Sequence, residues 1–225
     1  MSALPDTLVH RVRPAAGEPE GALVLLHGRG ADENDLFPFL DLLDPERRLV
    51  GVTPGAPLSL PPGGRHWYVV PRVGFPEPRT FHDSLQRLDA LLGAIPDAFG
   101  VPEGRTVIGG FSQGTVMAYA VGLGRGRPSP AGIVALSGFL PTVQGWQPDL
   151  GRPGLPVFIA HGRQDPVISV QFAQQARDQL TAAGLDVTYR ESDAGHQVDP
   201  RTVAELPGWL DAAMTPPAPR PSGAP

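Results

Sequence analysis

Residues Thr106 to Leu123 read TVIGGFSQGTVMAYAVGL, and this stretch decides the fold. Val107 and Ile108 are apolar and β-branched, as in a buried strand, and they run into Gly109-Gly110. Phe111-Ser112-Gln113-Gly114 follows, after which Val116, Met117, Ala120 and Val121 fall at helical spacing. The reading is strand, sharp turn, helix, with a serine at the apex. Glycines two residues to either side of Ser112 let strand and helix pass closely, and the hydroxyl is pushed out above the sheet edge. In a chain with 28 glycines, a Gly-x-Ser-x-Gly match does not settle a function by itself. A histidine, an acid and an oxyanion loop in the right order would.

Outward from this stretch the chain alternates strand and helix. Thr7 to Val12 predicts a first or edge strand. Ala22 to Leu26 is a continuous apolar run, the pattern of a strand buried on both faces of a parallel sheet. It leads into His27-Gly28-Arg29-Gly30, and Asn34 then reads as the N-cap of a helix over about residues 35–43. Strands are predicted at 49–53, 133–136, 157–160 and 187–190, and helices at about 81–99, 169–183 and 203–214. Pro96 makes the end of the 81–99 helix irregular, and Gly184 suits a helix C-terminus. This order predicts one α/β domain over residues 1–214, a mainly parallel central sheet with helices on both faces. The Pro/Ala-rich tail, 215–225, has little to bury and is expected to be disordered.

Composition removes several chemistries. No cysteine is present, so disulfides, thiolate metal sites and a cysteine nucleophile are excluded. All 18 basic residues are arginine, which excludes a Schiff-base lysine, a P-loop lysine and a Ser–Lys dyad. A net charge of −5 without a basic stripe argues against nucleic acid. The first residues lack the features of a signal peptide and no span of membrane length occurs, so the expected location is cytoplasmic.

A serine hydroxyl is a weak nucleophile at neutral pH and needs a base, which needs an orienting acid. After Ser112, the histidine that follows an acid at a strand end is His196, in Asp193-Ala194-Gly195-His196. Asp165 follows the 157–160 strand in His161-Gly162-Arg163-Gln164-Asp165, where this type of sheet places functional groups, and Asp193 is its rival. The oxyanion donors are expected to be the backbone N–H groups of Gln113 and Arg29. His27 and His161 read as loop braces, and no paired histidine spacing supports a metal. The long Pro/Gly-rich segment 55–79 reads as a functional loop. Its Trp67, Tyr68, Val70 and Phe75, with Phe139, Leu140, Val167 and Ile168, are the candidate walls of an apolar acyl groove.

Four ordered motifs, Leu26-His27-Gly28-Arg29-Gly30-Ala31-Asp32-Glu33, Gly110-Phe111-Ser112-Gln113-Gly114, His161-Gly162-Arg163-Gln164-Asp165-Pro166-Val167 and Gly195-His196-Gln197-Val198, resemble the phospholipase/carboxylesterase family of α/β-hydrolases, which includes acyl-protein thioesterases. The resemblance spans about residues 8–212. It implies a compact, essentially lidless esterase acting on a small-molecule ester or thioester without a cofactor. Ser112 would be nucleophile, His196 base and Asp165 its orienter, with Arg29 and Gln113 forming the oxyanion hole. Likeness to the family also points to a homodimer. Better-known members carry leucine where this chain has Arg29; a guanidinium reaching the cleft would favour substrates bearing negative charge, whereas one turned to solvent would not. The competing readings are a thioesterase or lysophospholipase on the same residues and a catalytically silent binding module.

Overall fold

The computed structural model describes residues 3–215, so the expected tail beyond Thr215 lies outside the described residues. In chain order the strands are β1 (His10–Arg13), β2 (Gly21–Leu26), β3 (Leu49–Pro54), β4 (Leu58–Ser59), β5 (Arg65–His66), β6 (Thr106–Phe111), β7 (Gly132–Leu136), β8 (Pro156–Gly162) and β9 (Asp186–Ser192). The helices are α1 (Phe39–Leu43), α2 (Pro78–Gly93), α3 (Ile95–Phe99), α4 (Gln113–Gly122), α5 (Val170–Ala182) and α6 (Pro200–Met214). Seven strands form one sheet in the order β1-β3-β2-β6-β7-β8-β9, and β4 and β5 make a short hairpin. Within the seven-stranded sheet all pairings are parallel except β1 with β3.

The apolar runs become central strands because both of their faces are covered. In β2, Ala22, Val24 and Leu26 face the core shared with Leu88, Leu91, Val116 and Leu180 of α2, α4 and α5. Leu23 and Leu25 face the opposite layer with Leu40, Leu206 and Leu210 of α1 and α6. Burying each such leucine contributes about 1.5–3 kcal/mol, so both layers hold the sheet.

Helix ends deviate from expectation where proline intervenes. The helix expected from Asn34 starts only at Phe39; Asp32 instead accepts from the Asn34 N–H in a turn. Pro38 has no N–H to continue a ladder from Asn34 and disfavours helical backbone at Phe37. The 81–99 helix divides at Ala94, because Pro96 cannot donate to Leu92. α2 and α6 each start three residues before the expected position, with proline in the first helical position after Glu77 and Asp199 caps.

The chain runs from β2 to β3 on one side of the sheet, whereas β6 lies on the other side of β2. The strand order therefore reverses between β2 and β6, and a crevice opens there at their C-terminal ends. Leu26 of β2 pairs with Gly110 of β6, so the loops beginning at His27 and Phe111 leave the sheet side by side.

Candidate active site

Ser112 sits at φ 56° and ψ −118° between β6 and α4, a backbone conformation that costs a non-glycine residue of order 1–3 kcal/mol. Tight packing holds it there. A Cβ on Gly110 would stand 2.3 Å from the Gly114 carbonyl, and one on Gly114 would stand 1.9 Å from Leu26 O. Only glycine permits the strand and helix to approach this closely. The Ser112 N–H donates to Leu136 O at 2.9 Å, and the Thr115 hydroxyl contacts Gly110 O and Leu136 O, each at 2.6 Å. The serine is thereby bound to the neighbouring strand as well as to its own helix.

Ser112 Oγ lies 3.0 Å from His196 Nε2, and His196 Nδ1 lies 2.7 Å from Asp165 Oδ2. A carboxylate only accepts, so Nδ1 carries the hydrogen and Nε2 is left to accept from the serine hydroxyl. Gly162 makes room for the histidine loop: a Cβ there would meet Ala194 O at 2.2 Å. The Phe111 ring lies 5.0 Å, centroid to centroid, from the imidazole.

Asp165 is enclosed, and its Oδ1 accepts the N–H groups of Val167 and Ile168 at 2.8 and 2.9 Å. Burial alone would raise its pKa. The hydrogen bonds from His196, Ile168 and Val167 outweigh burial and hold the carboxyl below its ordinary value, so it is ionised at neutral pH. His161 Nε2 donates to Ile168 O at 2.8 Å and stands 3.3 Å from Asp165 Oδ2, bracing the acid's loop. The rival Asp193 is exposed and paired with Arg163 at 2.7 Å.

His27 is also a brace. Its Nδ1 donates to Gly28 O at 2.7 Å, and its Nε2 accepts the Ala56 N–H at 3.0 Å. Burial lowers its pKa against the opposing bond to Gly28, which keeps the ring neutral. Among the described residues neither Arg29 N–H nor Gln113 N–H donates a hydrogen bond within the protein. Gln113 is the first residue of α4, where backbone N–H groups lack helical partners. Both residues line the cleft beside Ser112 and His196.

This cleft has a volume of about 550 Å³. Of the expected walls, Tyr68, Val70, Phe139, Val167 and Ile168 line it. Three expected walls do not. Trp67 is fully buried, donating through Nε1 to His27 O at 2.8 Å, so it props the loop that begins at His27. Phe75 is half exposed outside the cleft, beneath the Arg72 guanidinium at 3.7 Å. Leu140 belongs to a separate hollow with Thr142 and Trp146. Lining residues that sequence reasoning missed are His66, Val69, Arg72 and Val73, from a segment without periodicity. The Gln113 side chain was missed as well: its Oε1 accepts from Trp67 N–H at 3.0 Å, and its Nε2 donates to Tyr68 O at 2.9 Å.

The sequence pattern of the phospholipase/carboxylesterase family matches residues 9–213. The chain belongs to that family. Its mostly parallel sheet is the α/β-hydrolase fold, and the protein is a hydrolase of an esterase and thioesterase family. Acyl-protein thioesterase 1 of Yarrowia lipolytica is 31% identical over 218 residues, which cover 88% of this chain and 94% of that protein. Acyl-protein thioesterase 1 of Debaryomyces hansenii is 28% identical, with 91% and 96% covered. Among solved structures, the Bacillus cereus carboxylesterase superposes with a TM-score of 0.79 at 23% identity, covering 92% of this chain and 94% of its own, a likeness of fold. Among the described residues no helix is long and apolar enough to cross a membrane.

Proposed function

We propose that the protein is a serine carboxylesterase acting on small-molecule esters of short to medium acyl chain through an acyl-enzyme. The observation that carries this reading is the unbroken hydrogen-bonded chain from Ser112 Oγ through His196 to Asp165 at the floor of an open cleft. His196 Nε2 takes the Ser112 proton as Oγ attacks the ester carbonyl, and Asp165 stabilises the imidazolium that forms. The tetrahedral oxyanion accepts hydrogen bonds from the Gln113 and Arg29 N–H groups. Collapse of the intermediate breaks the carbon–oxygen bond, and His196 returns the proton to the departing alkoxide. Water then repeats the sequence on the acyl-enzyme and frees Ser112. None of these steps calls on a cofactor, and the proposed setting is cytoplasmic.

A cleft of about 550 Å³ has the capacity for a small ligand, and its walls at Val69, Val70, Arg72 and Val73 are exposed rather than folded over it. Acyl chains of about four to eight carbons are therefore the expected optimum. Hydrolysis of p-nitrophenyl esters from acetate to palmitate, by the wild type and by Ser112→Ala, tests both parts. Ser112-dependent turnover with a maximum at short to medium chains is expected. A kcat/KM that climbs steadily to palmitate would refute the chain-length preference. The relatives named acyl-protein thioesterase 1 favour a second reading, thioester cleavage by the same residues, and a matched pair of ester and thioester separates the two.

A further inference from the structure

Arginine in this protein is mostly committed to partners. Arg13 is buried and joined to Asp44 and to the carbonyls of Leu40 and Leu49. Arg152 is buried and donates to the carbonyls of Gly122, Gly124 and Arg127. Arg127 is paired with Asp89 and Glu103, Arg163 with Asp193, and Arg190 with Glu205. Arg29 and Arg72 differ: both are exposed, and among the described residues neither side chain makes a hydrogen bond or an ion pair, a freedom shared by Arg79, which lies outside the cleft. Both line the catalytic cleft, and no carboxylate lines it with them. Asp165 lies behind His196 with its side chain fully enclosed. The Phe75 ring under Arg72 holds that guanidinium by its face, leaving the in-plane N–H groups free to donate. A molecule of net charge −5 thus presents two unpartnered cations around Ser112, with Val69, Val70, Val73 and Val167 supplying apolar surface.

We propose that the preferred substrates are amphiphilic esters bearing an ionised acid group, held by Arg29 and Arg72. The proposal rests on the serine esterase reading and names its substrate class. Guanidinium groups suit a carboxylate or phosphate oxygen through charge-assisted hydrogen bonds. Because both arginines are exposed, each contributes on the scale of a surface ion pair, about threefold in kcat/KM, and the two together about tenfold.

Two matched substrate pairs test this. Para-carboxyphenyl butanoate against para-carbamoylphenyl butanoate places the charge on the leaving group. The p-nitrophenyl hemiester of adipic acid against its methyl-capped diester places it on the acyl group. The readout is the ratio of charged to neutral kcat/KM in the wild type, Arg29→Gln, Arg72→Gln and the double variant, so a general loss of activity cancels. On at least one pair the wild-type ratio should exceed that of the double variant by about tenfold, with each single variant intermediate and the preference weakened at high salt. The pair that responds identifies which half of the ester carries the charge. Equal ratios in the wild type and double variant on both pairs would overturn the proposal while leaving the esterase reading intact. If the wild type hydrolysed none of the four esters, charged or neutral, the esterase reading itself would fail.

Discussion

The elbow 106–123 and the segment 55–79 form opposite sides of one cleft by different physical means. At the elbow, backbone meets backbone: Gly110 packs on Gly114, Gly114 packs on Leu26 O, and Ser112 is held in a strained conformation by contacts that cannot relax independently. The opposite wall is tied at its base by backbone bonds of Arg65 to Gly30 and Ala31, and above that by side-chain bonds between Gln113 and both Trp67 and Tyr68, from the Ser84 hydroxyl to Trp67 O, and from Trp67 to His27 O. Beyond those anchors Val69, Val70 and Val73 are exposed. The proposed reacting groups are thus fixed to a rigid frame, while the surface proposed to meet the rest of the substrate is attached more loosely. On the proposed reading, reaction type belongs to the first region and substrate choice to the second.

The largest expected effects lie on the elbow side. Ser112→Ala and His196→Ala should each lower kcat by about 10³-fold or more, by similar factors, because residues of a triad act as a unit. Asp165→Asn should approach that loss. Near-full activity in the asparagine variant would assign the acid role to another residue. Gly114→Ala puts a methyl group against a backbone oxygen that cannot rotate away. We expect a loss of about 3 kcal/mol or more, seen as a fall in Tm of roughly 10 °C. An unchanged melt would show slack in the elbow and remove the contrast between the two walls.

Gln113→Ala tests the seam between the regions. It retains the backbone N–H but strips partners from Trp67 N–H and Tyr68 O, which costs about 1–3 kcal/mol per stranded buried group. Stability should fall by about 2–6 kcal/mol, and KM should rise more than kcat falls. A pure kcat loss would instead place the side chain's influence on the reaction itself. The smallest effect concerns pH. The Asp165 carboxyl is held below its ordinary value, so its ionisation stabilises the fold above the unfolded carboxylate pKa of about 3.9. That contribution fades as pH falls through the lower folded value. The Tm difference between wild type and Asp165→Asn should be level near neutral pH and shrink below about pH 4. A difference that did not change with pH would contradict the hydrogen-bonded carboxylate.

The same contrast separates what was legible in the sequence from what was not. The strand positions and the residues that meet at Ser112 could be read because buried parallel strands are continuous apolar runs. The candidate site residues Arg29, Ser112 and Asp165 also fall at or just beyond the ends of those runs. The 55–79 segment was legible only in part: Tyr68 and Val70 line the cleft as expected, but the segment's path depends on bonds to Gln113, more than 40 residues away, and carries no period. Trp67 and Phe75 show the consequence. Both are aromatic residues in a functional loop, yet one is a buried prop and the other a seat for Arg72, and nothing local distinguishes either from a groove wall. Helix starts failed at Pro38 for a different reason: a good cap at Asn34 cannot act when the next turn lacks a donor.

Covalent capture of the serine tests the central claim most directly. Incubation with a fluorophosphonate followed by intact-mass and peptide analysis should give one adduct per chain, on Ser112, lost in Ser112→Ala and strongly slowed in His196→Ala. An unmodified, folded wild-type protein, or an adduct on another residue, would contradict the account.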